Sequence, residues 1–63
     1  MNTFVAVMIA EGVRDVDEDT QIEAWQHLID TGIVWKLPGR FGRHAERLID
    51  TGLCRSADEK YIR

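Results

Sequence analysis

An all-α fold, a compact bundle of three short helices, is predicted by three features of this chain. The first is a set of glycines, Gly12, Gly32 and Gly52, spaced twenty residues apart. Each closes a similar window: Met8-Ile9-Ala10-Glu11-Gly12-Val13, Leu28-Ile29-Asp30-Thr31-Gly32-Ile33 and Leu48-Ile49-Asp50-Thr51-Gly52-Leu53. Helices commonly end on a glycine in the left-handed conformation, followed by an apolar residue that packs back on the last turn. Leu28 is then expected under Ile33, and Leu48 under Leu53. The second feature is apolar spacing: Ile22, Trp25, Leu28 and Ile29, then Phe41, Ala45, Leu48 and Ile49, recur at the helical period. The third is a pair of start signals, Asp17 as an N-cap and Pro38 at a first helical position.

The helices are expected over about 3–11, 18–31 and 38–51. The first is apolar on all sides from Phe4 to Ala10, as befits a helix sandwiched in a core or at an interface; a strand is the rival reading of so short a run. The second opens on Asp17, with Glu18 and Asp19 in the turn where the helix dipole favours negative charge. Ile33-Val34-Trp35-Lys36-Leu37 is too apolar for a solvated connector, and Trp35 and Leu37 are expected to close the bottom of the core. Three short helices do not easily bury two tryptophans, so Trp25 or Trp35 is also a candidate anchor for a partner. Gly39 and Gly42 lie inside the third helix, each at about 1 kcal/mol against it, which suggests close approach of another backbone there. Ser56-Ala57-Asp58-Glu59 has capping-box spacing, so the segment after Cys54 is either a fourth helical turn through Ile62 or a frayed tail. The expected organisation is one helical domain over 1–54 and a tail or short helix over 55–63.

A chain of 63 residues makes one small domain, which buries only about 60% of its unfolded surface. Its 44% apolar and 30% charged residues are those of an ordinary globular chain and exclude intrinsic disorder. The longest apolar run, Phe4–Ala10, is far short of the roughly 20 residues that span a bilayer, and it lacks the flanks of a signal peptide. A lone cysteine, Cys54, cannot form an internal disulfide, so a reducing cytoplasm is expected. The net charge of −3 is unevenly placed. From Glu11 to Glu23 six acids stand against one arginine, a balance of −5; from Lys36 to Arg47 four basic residues stand against one acid, a balance of +3.

Most chemical constellations fail on inspection. Asp15, Asp17 and Asp19 imitate the first, third and fifth positions of an EF-hand loop, with Ile22 at the eighth. Thr20 then replaces the turn glycine and Gln26 the bidentate glutamate, so the segment reads as an N-cap and an acidic first turn. His27, His44 and Cys54 lack the close pairings of a zinc site, and no metal or cofactor is expected. Cys54 follows a helix end rather than opening a helix, so nothing lowers its thiol pKa, and no catalytic set is expected.

The basic stripe is the feature with functional content. At 100° per residue, Arg40, Arg43, His44 and Arg47 share one third of the third helix, beside the buried third formed by Phe41, Ala45, Leu48 and Ile49. Such a face suits phosphates, a protein partner, or the acidic Asp15–Asp19 segment within the chain or across a dimer. The connector from Gly32 to Leu37 is longer than the turn of a helix-turn-helix motif, which weighs against nucleic acid.

In Ala24-Trp25-Gln26-His27-Leu28-Ile29-Asp30-Thr31-Gly32-Ile33-Val34-Trp35-Lys36-Leu37, in Gly39-Arg40-Phe41-Gly42-Arg43 and in Leu48-Ile49-Asp50-Thr51-Gly52-Leu53-Cys54, the chain resembles a family of very short uncharacterised proteins of tailed bacteriophages, prophages and metagenomic viral contigs. Met1-Asn2-Thr3-Phe4 and Met8-Ile9-Ala10-Glu11-Gly12 fit the same pattern, so the resemblance spans about residues 1–54. It implies phage origin and expression in a bacterial host's cytoplasm, and it carries no established activity. Pro38 stands where that family usually has a polar residue, and Arg40 where it has an aromatic, so part of the basic stripe belongs to this chain alone.

The expected function is that of a non-enzymatic accessory protein that binds a host or phage protein, as an inhibitor of a nucleic-acid-handling or defence complex. The candidate contact residues are Arg40, Arg43, His44, Arg47 and Trp35. A nucleic-acid-binding regulator using the same basic face is the alternative. A self-associating piece with the first helix as its interface is the third reading.

Overall fold

The first two helices begin on side-chain caps, and those caps decide where they start. Asn2 is extended and its Oδ1 accepts the Val5 N–H at 2.8 Å; Asp17, also extended, accepts the Thr20 N–H at 2.9 Å. The structure is a computed structural model that describes residues 1–57. It comprises α1 (Thr3–Ala10), α2 (Glu18–Thr31), a 3-10 helix (Ile33–Lys36) and α3 (Gly39–Asp50), with no strand among the described residues. The chain is an all-α small bundle. The turn expected from Ser56 through Ile62 lies outside the described residues, except for its first two positions.

Gly12, Gly32 and Gly52 have φ of 83°, 79° and 85°, so all three take the left-handed conformation that ends a helix. Two of them close with both characteristic bonds. Val13 N–H reaches Met8 O at 3.0 Å and Gly12 N–H reaches Ile9 O at 3.0 Å; Leu53 and Gly52 repeat the pattern on Leu48 O and Ile49 O. Gly32 departs from it. Its N–H bonds Ile29 O, but Ile33 N–H faces the Thr31 hydroxyl at 3.5 Å, and Trp35 N–H bonds Gly32 O at 3.3 Å. The chain thus passes straight into the 3-10 helix, which drives Val34 fully into the core.

Pro38 was expected as the first helical residue and sits one place earlier. Its ψ of 150° is extended, and its carbonyl already accepts the Phe41 N–H at 2.9 Å. Proline has no side-chain oxygen, so α3 starts without a side-chain cap.

The core is built on α2. Ala24, Trp25, Leu28 and Ile29 form one cluster with Ala6 and Ile9 of α1, Val34 of the 3-10 helix, Phe41 and Ala45 of α3, and Cys54. Ala6, Ala24 and Ala45 are fully buried, and their small size lets the helices approach closely. Trp25 faces Phe41 with ring centroids 5.8 Å apart. The first helix is not enclosed as a sandwiched element would be. Ala6 and Ile9 face inward, while Phe4 is 72% exposed. Among the described residues no helix is long and apolar enough to cross a membrane.

Asp17 carries a pH signature. Hydrogen bonding from Thr20, through its side chain and then its backbone N–H, holds the carboxyl below its ordinary 3.8. A depressed folded pKa adds stability above the unfolded value and loses it as pH falls through the folded one. Asp17→Asn keeps a cap oxygen without the titration. Thermal melts are expected to show wild type more stable than the variant above about pH 4 and the gap closing below it.

Candidate functional site

The orientation of α3 is set by Phe41 and Ala45, which are buried, and by Leu48 and Ile49, which are half-buried. Its remaining surface presents Arg40, Arg43, His44 and Arg47, all exposed, with Glu46 and Asp50 beside them. The five expected site residues make different contacts. Arg40 and His44 lie on the edge of α3 that meets α1 and α2. The Arg40 guanidinium sits 5.0 Å above the Phe41 ring and pairs with Glu11 at 3.4 Å. His44 covers Trp25, with ring centroids 4.5 Å apart at 41°. Arg43 lays its guanidinium over Gly39, and Arg47 is exposed.

Trp35 stands on the opposite edge and contradicts the expectation that it closes the core. Val34 does that, and Trp35 is 49% exposed. One register step explains the exchange, because in a tight 3-10 turn only one of these adjacent side chains can point inward. The indole instead lies along α3 at Gly42, with Cε3 and Cζ3 at 3.5 and 3.7 Å from where a side chain there would begin. Over Gly39 the neighbour is the Arg43 guanidinium at 3.4 Å. Close approach of another backbone is expected at these glycines from the sequence; the nearest atoms are instead the side chains of Trp35 and Arg43. A methyl at Gly42 would meet the indole at ordinary van der Waals distance. Gly42→Ala is therefore expected to stabilise the fold by about 0.5–1 kcal/mol, read as a raised urea midpoint at unchanged slope.

The acidic Asp15–Asp19 segment does not answer the arginines within the chain. Among the described residues the Arg40 partner is Glu11, at the end of α1, while Asp17 is committed to capping α2. Nothing in sequence spacing signals the Arg40–Glu11 pair, whose members lie 29 residues apart.

The Ala24–Gly32 part of the family resemblance is scaffold, whereas its Trp35, Arg40 and Arg43 are exposed. In Ala24–Gly32, Ala24, Trp25, Leu28 and Ile29 fill the core. His27 Nε2 meets the Thr3 hydroxyl at 3.2 Å and ties α1 to α2. The Thr31 hydroxyl donates to His27 O and Leu28 O. Gln26 acts as a clamp that the sequence did not announce. Its Nε2 donates to Arg55 O at 2.9 Å and to Asp30 Oδ1 at 2.9 Å, and its Oε1 accepts the Arg55 N–H at 2.8 Å. The side-chain amide thus pairs with the Arg55 backbone as a neighbouring strand would. Gln26→Ala is expected to cost about 1–2 kcal/mol. Faster hydrogen exchange at the Arg55 amide would locate the loss at the clamp.

Cys54 is held by the same segment. It is 2% exposed, and its thiol reaches Ile22 O at 3.7 Å. Burial, and secondarily the charge of Asp30, push its pKa up, so the thiol stays protonated at neutral pH. Among the described residues no group of three or more His, Cys, Asp and Glu side chains is placed to hold a metal ion.

No curated protein and no solved structure matches the chain. One family pattern does, over residues 1–61, nearly the whole length. It contains both the scaffold string and the exposed face of α3, and the chain accordingly belongs to the family of the domain of unknown function DUF7417.

Proposed function

We propose that this chain is a non-enzymatic accessory protein that acts by binding another protein, with Trp35 as the apolar anchor and Arg43 and Arg47 as flanking charges. The observation that carries this reading is the fate of the two tryptophans. Trp25 is 5% exposed and belongs to the core; Trp35 is 49% exposed, on a glycine-floored shelf of α3. Half-exposed tryptophan beside arginine is the composition of interface hot spots. The resemblance to tailed-phage proteins extends the reading. The partner is then a host or phage protein in the bacterial cytoplasm, and the effect is inhibition of a nucleic-acid-handling or defence complex.

Affinity capture from host lysate by wild type and by Trp35→Ala, run side by side, tests it. A saturable partner retained by the first and lost by the second is expected. Equal recovery by both, or no saturable partner, counts against it.

A second reading is favoured by the three exposed arginines of α3: a small nucleic-acid-binding regulator. Titration of a labelled duplex and a single strand then shows affinity that falls steeply between low and physiological salt. Simultaneous alanine changes at Arg40, Arg43 and Arg47 abolish it. Binding that survives those changes removes this reading.

A further inference from the structure

Of the three α-helices only α1 carries no charged side chain along its length, Thr3–Ala10. α2 turns Glu18, Asp19 and Glu23 to solvent, and α3 turns out Arg40, Arg43, Glu46, Arg47 and Asp50. A helix that is apolar all round is ordinarily covered all round, and α1 is covered on one side only. Ala6 and Ile9 are buried in the core, and Val5, Val7 and Ala10 pack against it. Phe4 is 72% exposed, and among the described residues neither Phe4 nor Met8 joins the side chains packed on the core. At 100° per residue Phe4, Met8 and Glu11 fall within about 60° of one another, on the side away from Ala6 and Ile9. Their spacing of four and then three residues is that of a helix-pairing seam. Met1 and Val13, both exposed, flank α1 at its two ends.

Charge and size decide what fits this seam. It has no cation, and its one acid, Glu11, stands at its C-terminal end, so an acidic or basic partner surface finds no complement over Phe4 and Met8. A second copy running in the opposite direction does find one. A two-fold axis between Phe4 and Met8 sets the Phe4 of each copy on the Met8 of the other. Each Glu11 then falls at the N-terminal end of the opposing α1, where the helix dipole favours a carboxylate. A parallel pair would stack Glu11 on Glu11. The contact that Glu11 makes with Arg40, 3.4 Å long and between exposed side chains, is too weak to hold it back. The seam is about 12 Å long and covers roughly 300–400 Å² per copy, less than the about 800 Å² of a standard interface. The pairing is therefore concentration-dependent, with a dissociation constant of about 10 μM to 1 mM.

We propose that two copies of this chain pair through the outer sides of their α1 helices, antiparallel, with the Phe4 of each seated on the Met8 of the other. The association needs only this chain. It goes beyond the partner reading above and does not rest on Trp35.

Sedimentation equilibrium of the full-length protein from about 20 μM to 2 mM tests it. The mass is expected to rise from 7.2 kDa toward twice that value. Phe4→Glu and Met8→Lys, each alone, set a charge against an apolar side chain and are expected to weaken association at least about tenfold. Both are expected to keep the helical circular dichroism, because Phe4 is exposed and a lysine in place of Met8 reaches water along its stem. An equimolar mixture of the two variants is expected to associate again. The new carboxylate of one copy then faces the new ammonium of the other, while the remaining Phe4 rests on the remaining Met8. Parallel pairing gives no such recovery. A wild type that stays at 7.2 kDa throughout, a Phe4→Glu variant that associates as wild type does, or a folded mixture no heavier than its components overturns the proposal. If Met8→Lys does not fold, the masses of wild type and Phe4→Glu still decide.

Discussion

Trp25→Ala is expected to leave the chain mostly unfolded at room temperature. Trp25 is 5% exposed and belongs to the core cluster to which all three helices contribute. Its indole faces Phe41 at 5.8 Å between centroids and lies under the His44 ring at 4.5 Å. Truncating a buried tryptophan costs about 3–5 kcal/mol, from lost transfer energy and from the cavity left behind. A domain this short has a total stability of only a few kcal/mol, so the loss matches or exceeds it. Circular dichroism should show loss of most helical signal, and the amide NMR spectrum should collapse toward random-coil dispersion. Trp25→Phe keeps the ring against Phe41 and should retain a cooperative, weaker transition. A Trp25→Ala variant that melts cooperatively within about 1 kcal/mol of wild type would show that the helices do not depend on this contact.

The elements were legible because their signals are local. Asp17, Gly12, Gly32 and Gly52 act within one helical turn of where they stand, and the 3.6-residue period of α2 and α3 needs only neighbouring positions. Errors arose where two distant segments compete for one place. Ile33–Leu37 reads as uniformly apolar, so nothing local says whether Val34 or Trp35 turns inward. That choice is made by the space left beside α2 and α3, and it favours the smaller side chain. Pro38 is compatible with either of two adjacent positions, and its extended ψ settles the matter only once α3 has docked. The Arg40–Glu11 pair and the Gln26–Arg55 clamp each join residues 29 positions apart, beyond any spacing rule.

The same contrast bears on function. The specific string Ala24–Gly32 invites a search for chemistry, yet its side chains fill the core, clamp the 54–57 segment or close the helix end. Residue identity there follows from packing and hydrogen bonding, as with His27 on Thr3 and Gln26 on Arg55. What the scaffold leaves available is the outer face of α3, the Phe4 side of α1 and Trp35. Of these, the basic stripe was readable from the helical wheel, while the exposure of Trp35 required the 3-10 turn to be placed against α3.

Trp35→Ala is expected to separate folding from binding. Half of the indole is already in water, so folding buries only the remainder, against Gly42 and its surroundings. At about 25 cal/mol per Å² that remainder is worth roughly 1–2 kcal/mol, a loss that leaves the variant folded. Removal of a tryptophan anchor from an interface commonly costs 2 kcal/mol or more, at least about a thirtyfold loss of affinity. Arg43→Ala or Arg47→Ala should cost less, about 0.2–1 kcal/mol each, because both charges are solvated at the rim. The order of effects is therefore diagnostic. Trp35→Ala should show a modestly lowered melting temperature, an intact helical spectrum and lost partner capture, whereas Trp25→Ala loses everything together. If the double Arg43→Ala/Arg47→Ala variant abolishes binding while Trp35→Ala does not, the interface is electrostatic. The protein-partner reading would then give way to one in which α3 lies against phosphates.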